Sequence, residues 1–150
     1  MIEGVKIKKL NKYDDERGWL TEIYRHDEID FIPAMAYISV TKPGVKRGPH
    51  EHVYQTDCFI FIGPGVFELY LWDRRKNSKT RGESLKIKVG ESNPTLVIVP
   101  PGVVHGYKAI SDCDAQCINL IDKLYKGIGK NDEIDEIRWE NKEDSPYKMD

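Results

Sequence analysis

Cysteine is scarce and unpatterned. Cys58, Cys113 and Cys117 are the three in 150 residues, an odd number without a CxxC pair. That excludes a complete disulfide framework and a thiolate zinc finger, and it implies a reducing compartment in which the thiols are ordinary buried side chains. Long apolar runs are missing as well. No stretch approaches the length that crosses a bilayer, and the N-terminus does not join a charged start to an apolar segment of leader length, so a cytoplasmic protein with no membrane partner is expected. Neither sign of charge dominates. The 23 basic and 25 acidic residues leave a net charge of -2 and a pI near 6.1, spread along the chain, which argues against nucleic acid as a partner. Helical periodicity is absent before Asp132.

What is present is a succession of short strand signals in a chain whose length suits one domain, 1–150, with a sizeable core. Residues 5–10 alternate apolar and polar. A turn at 14–18 leads into a strand over 19–24, the polar residues 27–30 suit a short helical turn closed by Pro33, and residues 34–41 form a strand ended by Lys42-Pro43-Gly44. Residues 58–62 and 66–72 flank Gly63-Pro64-Gly65 and predict a hairpin. Both arms are apolar at nearly every position, as in strands covered on two faces. Residues 84–89, 96–99, 107–110 and 115–120 complete the set. Signals recurring about every ten residues predict an all-β sandwich or barrel. Residues 131–138 predict one short helix with Asn131 as its N-cap, and 139–150 an irregular tail.

Three of the four histidines fall in two segments, Gly44-Val45-Lys46-Arg47-Gly48-Pro49-His50-Glu51-His52 and Pro100-Pro101-Gly102-Val103-Val104-His105-Gly106. On a strand the i, i+2 spacing of His50 and His52 puts both imidazoles on one face. Pro101 and Gly102 suit a type II turn that sets His105 at the start of a strand. If the two segments face each other inside one barrel, the three rings converge. Histidine titrates near neutrality and suits removal of a proton from carbon beside a carbonyl. The HxH pair with Gln55 and His105 also fits, loosely, the donor set of a metal site.

Read in order, five blocks resemble the dTDP-4-dehydrorhamnose 3,5-epimerase family. They are Asp15-Glu16-Arg17-Gly18-Trp19-Leu20-Thr21-Glu22; Gly44 to His50; Gln55; Gly65-Val66-Phe67-Glu68-Leu69 with Asp73-Arg74; and Ile98 to Tyr107 with Ser111-Asp112. The resemblance implies a cupin-type jelly-roll barrel with a short C-terminal helical or irregular tail, a homodimer, no cofactor, and an isomerase of a nucleotide-linked 4-keto-6-deoxyhexose. It implies His50 as the base, Arg17 and Arg47 on the diphosphate, where a guanidinium fork is apt, Glu22 on the base or sugar, and Trp19 against thymine. Gln55, His105 and Asn119 are further candidate substrate contacts. Ile118 or Asn119 stands where the family carries a tyrosine acid, and Asp57 where it carries a lysine. A second resemblance is to cupin sugar 3,4-ketoisomerases, which carry RGxHxH. Arg47-Gly48-Pro49-His50-Glu51-His52 matches, with Tyr37 thirteen residues before His50, and this adds His52 and Tyr37 to the catalytic candidates. A ketoisomerase, a non-catalytic sugar-binding cupin and a metal-dependent cupin stand as alternatives.

Overall fold

The computed structural model describes all 150 residues. Twelve strands follow in chain order: β1 (Lys6–Lys9), β2 (Tyr13–Asp15), β3 (Gly18–Leu20), β4 (Met35–Thr41), β5 (Lys46–Glu51), β6 (Asp57–Phe61), β7 (Val66–Asp73), β8 (Ser84–Gly90), β9 (Thr95–Val99), β10 (Val103–Ala109), β11 (Ala115–Ile121) and β12 (Ile137–Arg138). They make one sheet in the order β1-β9-β6-β11-β4, a second in the order β12-β5-β10-β7-β8, and the small β2-β3 hairpin. Every pairing is antiparallel. No helix is long and apolar enough to cross a membrane.

The hydrophobic pattern explains this layering. Phe59 and Phe61 of β6, Phe67, Leu69 and Leu71 of β7, Val97 and Val99 of β9 and Tyr107 of β10 meet between the two sheets. The Phe61–Phe67 and Phe67–Tyr107 ring centroids lie 5.4 and 5.0 Å apart, the first pair tilted and the second edge-on, and such aromatic pairs add roughly 0.5–1.5 kcal/mol each beyond burial. The alternate residues of β6 and β9, Cys58, Ile60, Leu96 and Ile98, point out of the first sheet and are covered by Leu10, Ile29 and Phe31. Two covered faces are why these strands carry no polar alternation.

Three expectations are corrected. β6 and β7 do not form a hairpin: β6 pairs with β9 and β11, β7 with β8 and β10. Gly63-Pro64-Gly65 is instead an arch that carries the chain from one sheet to the other. At Gly65 (φ +80°) a Cβ would stand 2.6 Å from Ala115, so only glycine fits the arch. The helix expected over 131–138 is absent. A 3-10 turn (Ile128–Lys130) precedes it, and Ile137 and Arg138 pair with Glu51 and His50. Tertiary contacts override the weak local preference: the Asp135 carboxylate accepts the backbone N–H groups of Val53, Tyr54 and Gln55 at 2.8–2.9 Å. The strand expected over 19–24 is confined to β3. The irregular tail lies on the second sheet, where Trp139 Nε1 and Arg74 donate to the buried Glu51 at 3.0 and 2.8 Å.

Candidate active site

β5 and β10 bring the histidines together. His105 pairs with His50 and Tyr107 with Arg47, so β5 holds one extra residue between the two pairs. Such a bulge re-aims the side chains beside it. Gly48 sits in it with φ +83°, and a Cβ there would meet the His105 carbonyl at 2.8 Å, so a side chain would push the strands apart. The ring centroids of His50 lie 4.6 Å from His105 and 5.5 Å from His52, and one ligand-type atom from each ring falls within 4.8 Å of the others. The convergence expected from spacing is observed.

A hollow of about 1110 Å³ opens above these rings, and His50, His52, Gln55, Arg47 and Tyr37 all line it. Phe59 and Tyr107 also line it, as do residues 121–128 and 132–136 with Arg138 and Glu140. Arg47 is aimed by two bonds, Nε to Thr41 Oγ1 and a terminal nitrogen to the Val40 carbonyl, both 2.9 Å. Lys46, Lys123, Lys126 and Arg138 add cationic groups around the same space. Tyr37, on the edge strand β4, reaches in from the first sheet, whereas His50 comes from the second.

Behind the rings lies Asp57, which the sequence offered only as a departure from the family pattern. It is 1% exposed. Its Oδ2 is 3.0 Å from His52 Nε2 and 3.3 Å from His105 Nε2, and its Oδ1 accepts from Gln55 Nε2 at 3.0 Å and Asn119 Nδ2 at 2.8 Å. Asp57 Oδ2, His105 Nε2 and Asn119 Oδ1 have no well-directed hydrogen-bond partner, so the Oδ2 contacts are close approaches rather than aligned hydrogen bonds. His52 Nδ1–H also donates to the Asp135 carbonyl. Burial disfavours the imidazolium of His52, but Asp57 and Asp135 outweigh it and hold its pKa up to about 9. Burial likewise works against the Asp57 carboxylate, and the two histidines reverse this, keeping it ionised far below the usual range. For His50, burial first and then the neighbouring His105 and His52 push the pKa well down. His50, which lines the hollow, is thus held as a neutral imidazole. Its Nδ1 lies 3.8 Å from Glu136.

The donor set bears on metal binding. His105 Nδ1 is committed to the Val103 carbonyl at 3.0 Å, and both nitrogens of His52 face oxygen acceptors. A cation on His50, His52, Gln55 and His105 would have to displace the Asp57 contacts, so the geometry fits a hydrogen-bonded acid–base cluster better than a ligand set.

Other sequence candidates lie elsewhere. His105 and Asn119 are each 1% exposed and stand behind the hollow rather than on its surface. Arg17 and Trp19, on the β2-β3 hairpin, do not line it; Arg17 pairs with Asp15, and Lys12 lies 4.2 Å over the Trp19 ring. Glu22 lines a separate small cleft and pairs with Arg25 at 3.2 Å.

A two-sheet jelly roll with imidazoles, a phenol and a guanidinium converging on one hollow defines a cupin equipped for proton transfer on an anionic ligand. Residues 1–148 match the family described as dTDP-4-dehydrorhamnose 3,5-epimerase, and the chain belongs to that family. Its members are epimerases, which makes the chain an enzyme of the isomerase class. The chain is 36% identical over 148 residues to the spore coat polysaccharide biosynthesis protein SpsL of Bacillus subtilis strain 168, covering 93% of this chain and 97% of that one. It is 36% identical over 127 residues to the probable low-salt glycan biosynthesis epimerase Agl13 of Haloferax volcanii, covering 83% and 81%. Among solved structures, the dTDP sugar isomerase of Desulfovibrio desulfuricans G20 superposes with a TM-score of 0.83 at 24% identity over 98% of this chain and 91% of that one, a likeness of fold. The expected family and jelly roll are both borne out.

Proposed function

We propose that the chain epimerises a dTDP-linked 4-keto-6-deoxyhexose on a route to a polysaccharide precursor. The observation that carries this reading is that His50 and Tyr37 line one hollow from strands of different sheets. A hydrogen on carbon beside the ketone is acidic enough for a neutral imidazole to remove. The enolate that forms is then reprotonated from the other face by a phenol, which inverts the centre. Arg47 and the neighbouring cations take the diphosphate. The dTDP moiety follows from the family, and the polysaccharide context from the names of the two relatives.

The protein acts as a homodimer in this reading. β4 is an edge strand whose Ile38 and Val40 are 61% and 51% exposed, an apolar edge that a second copy would cover. Arg17, Trp19 and Glu22 then serve the partner's hollow. Incubation with dTDP-4-keto-6-deoxyglucose in heavy water tests the reaction. Deuterium in an epimerised product supports it, a 3-keto product would make the chain a ketoisomerase, and binding without exchange of carbon-bound hydrogen would make it a sugar-binding protein.

A further inference from the structure

Asp57 does not line the hollow, yet it contacts His52 and His105 beside His50 on one side and, on the other, the Asn119 that bonds Tyr37. The side that includes Tyr37 has a definite polarity. Asn119 Nδ2 lies 2.8 Å from Asp57 Oδ1 and 2.8 Å from Tyr37 Oη. An amide nitrogen carries two hydrogens, one for each of these oxygens. Turning the amide over would set its carbonyl oxygen against a buried carboxylate, two acceptors facing each other where water cannot intervene. The carboxylate therefore dictates that Asn119 donates to Tyr37. A phenol that accepts a bond from Asn119 still holds its own hydrogen, and no protein group accepts it. The direction left for that hydrogen is the hollow.

We propose that Asp57 is a positioning residue that sets the direction of proton donation: through Asn119 it makes Tyr37 a donor toward the bound sugar. The proposal rests on the epimerase reading above and adds to it the reason a tyrosine on β4 can serve as the acid. Tyr37 delivers its hydrogen to the carbon of the enolate and is left as a phenolate, which the Asn119 N–H stabilises until solvent reprotonates it.

The test separates proton removal from proton delivery. In heavy water, His50 alone can remove a proton and return a deuteron on the same face, labelling unchanged substrate; inversion needs Tyr37. Asp57→Asn lets the amide at 119 turn over and accept the Tyr37 hydrogen, which withdraws it from the hollow. Recovered substrate should then still gain deuterium at a rate within about tenfold of wild type, while epimer formation falls by roughly a hundredfold or more. A double exchange, Asp57→Asn with Asn119→Asp, keeps the same atoms in the core in case the single variant does not fold. A carboxylate at 119 would take the Tyr37 hydrogen outright, so the double variant should also label substrate without inverting it, whereas a merely structural pair would regain epimerisation. Wild-type rates of epimer formation in either folded variant overturn the proposal. So does joint loss of labelling and inversion, which would place Asp57 with the histidines instead. Wild-type protein that exchanges no carbon-bound hydrogen overturns the epimerase reading itself.

Discussion

The His50 imidazole and the Tyr37 hydroxyl look into the same cavity from different sheets, one carried by β5 beside β10 and the other by β4 beside β11. Two-sided proton transfer needs an arrangement of this kind, and it frames what each side chain should do when removed.

His50→Asn should abolish both deuterium labelling of substrate and product formation, with kcat down by about 10²–10⁴. The ring is partly exposed, so the fold should survive, which circular dichroism would check. Normal turnover would remove His50 from the base position.

Arg47→Ala should raise KM about tenfold or more with a smaller change in kcat, because a diphosphate contact is felt in ground state and transition state alike. Arg47→Lys should not restore it. A lysine cannot hold Thr41 and the Val40 carbonyl while presenting a planar fork. Steady-state kinetics of the two variants decide this.

Stability should depend on His52 above neutrality. Its pKa in the folded protein, about 9, exceeds the ordinary value, so its contribution is complete below pH about 6.5 and is lost as pH rises through 9. The loss is on the order of 3 kcal/mol. Urea unfolding at pH 6.5 and 9.5 should show a larger decline for wild type than for His52→Gln, since the other titrating groups are common to both. Equal declines would mean that His52 carries no charge in the folded state.

Mixing Arg17→Ala protein with His50→Asn protein should regain activity that neither has alone, because a hybrid dimer assembles one hollow with both native groups. No recovery after subunit exchange, verified by mass spectrometry, would place Arg17 outside the site.

Phe61→Ala should cost roughly 3–5 kcal/mol, since the ring is fully buried between the sheets and contacts Phe59, Phe67 and Tyr107. Equilibrium denaturation with an unchanged m-value would measure it.

Much of this architecture was legible in the chain. Strand positions followed from short apolar runs punctuated by glycine and proline, and the histidine cluster followed from i, i+2 spacing and a PxG turn. Pairing was less legible, because Gly63-Pro64-Gly65 suits an arch between sheets as well as a hairpin, and no local signal says which neighbour a strand takes. Residues 131–138 misled for a related reason: an asparagine ahead of acidic residues resembles a helix start, but Asp135 is used by the backbone of 53–55. Asp57 did leave a trace, a carboxylate at the head of a wholly buried strand, and a charge in such a place requires partners. His52 and Gln55 stand close by in sequence, but His105 and Asn119 come from two distant segments, which only the fold could name. Whether Arg17, Trp19 and Glu22 serve their own subunit or another is likewise invisible in one chain's residue order.

The arch between β6 and β7 also has a consequence for biosynthesis. Strand β6 finds its two neighbours in residues 95–99 and 115–121, so it leaves the ribosome long before either. During that interval Phe59, Ile60 and Phe61 have no sheet to join, and the nascent polypeptide carries an apolar, unpaired segment until about four-fifths of the chain has been made.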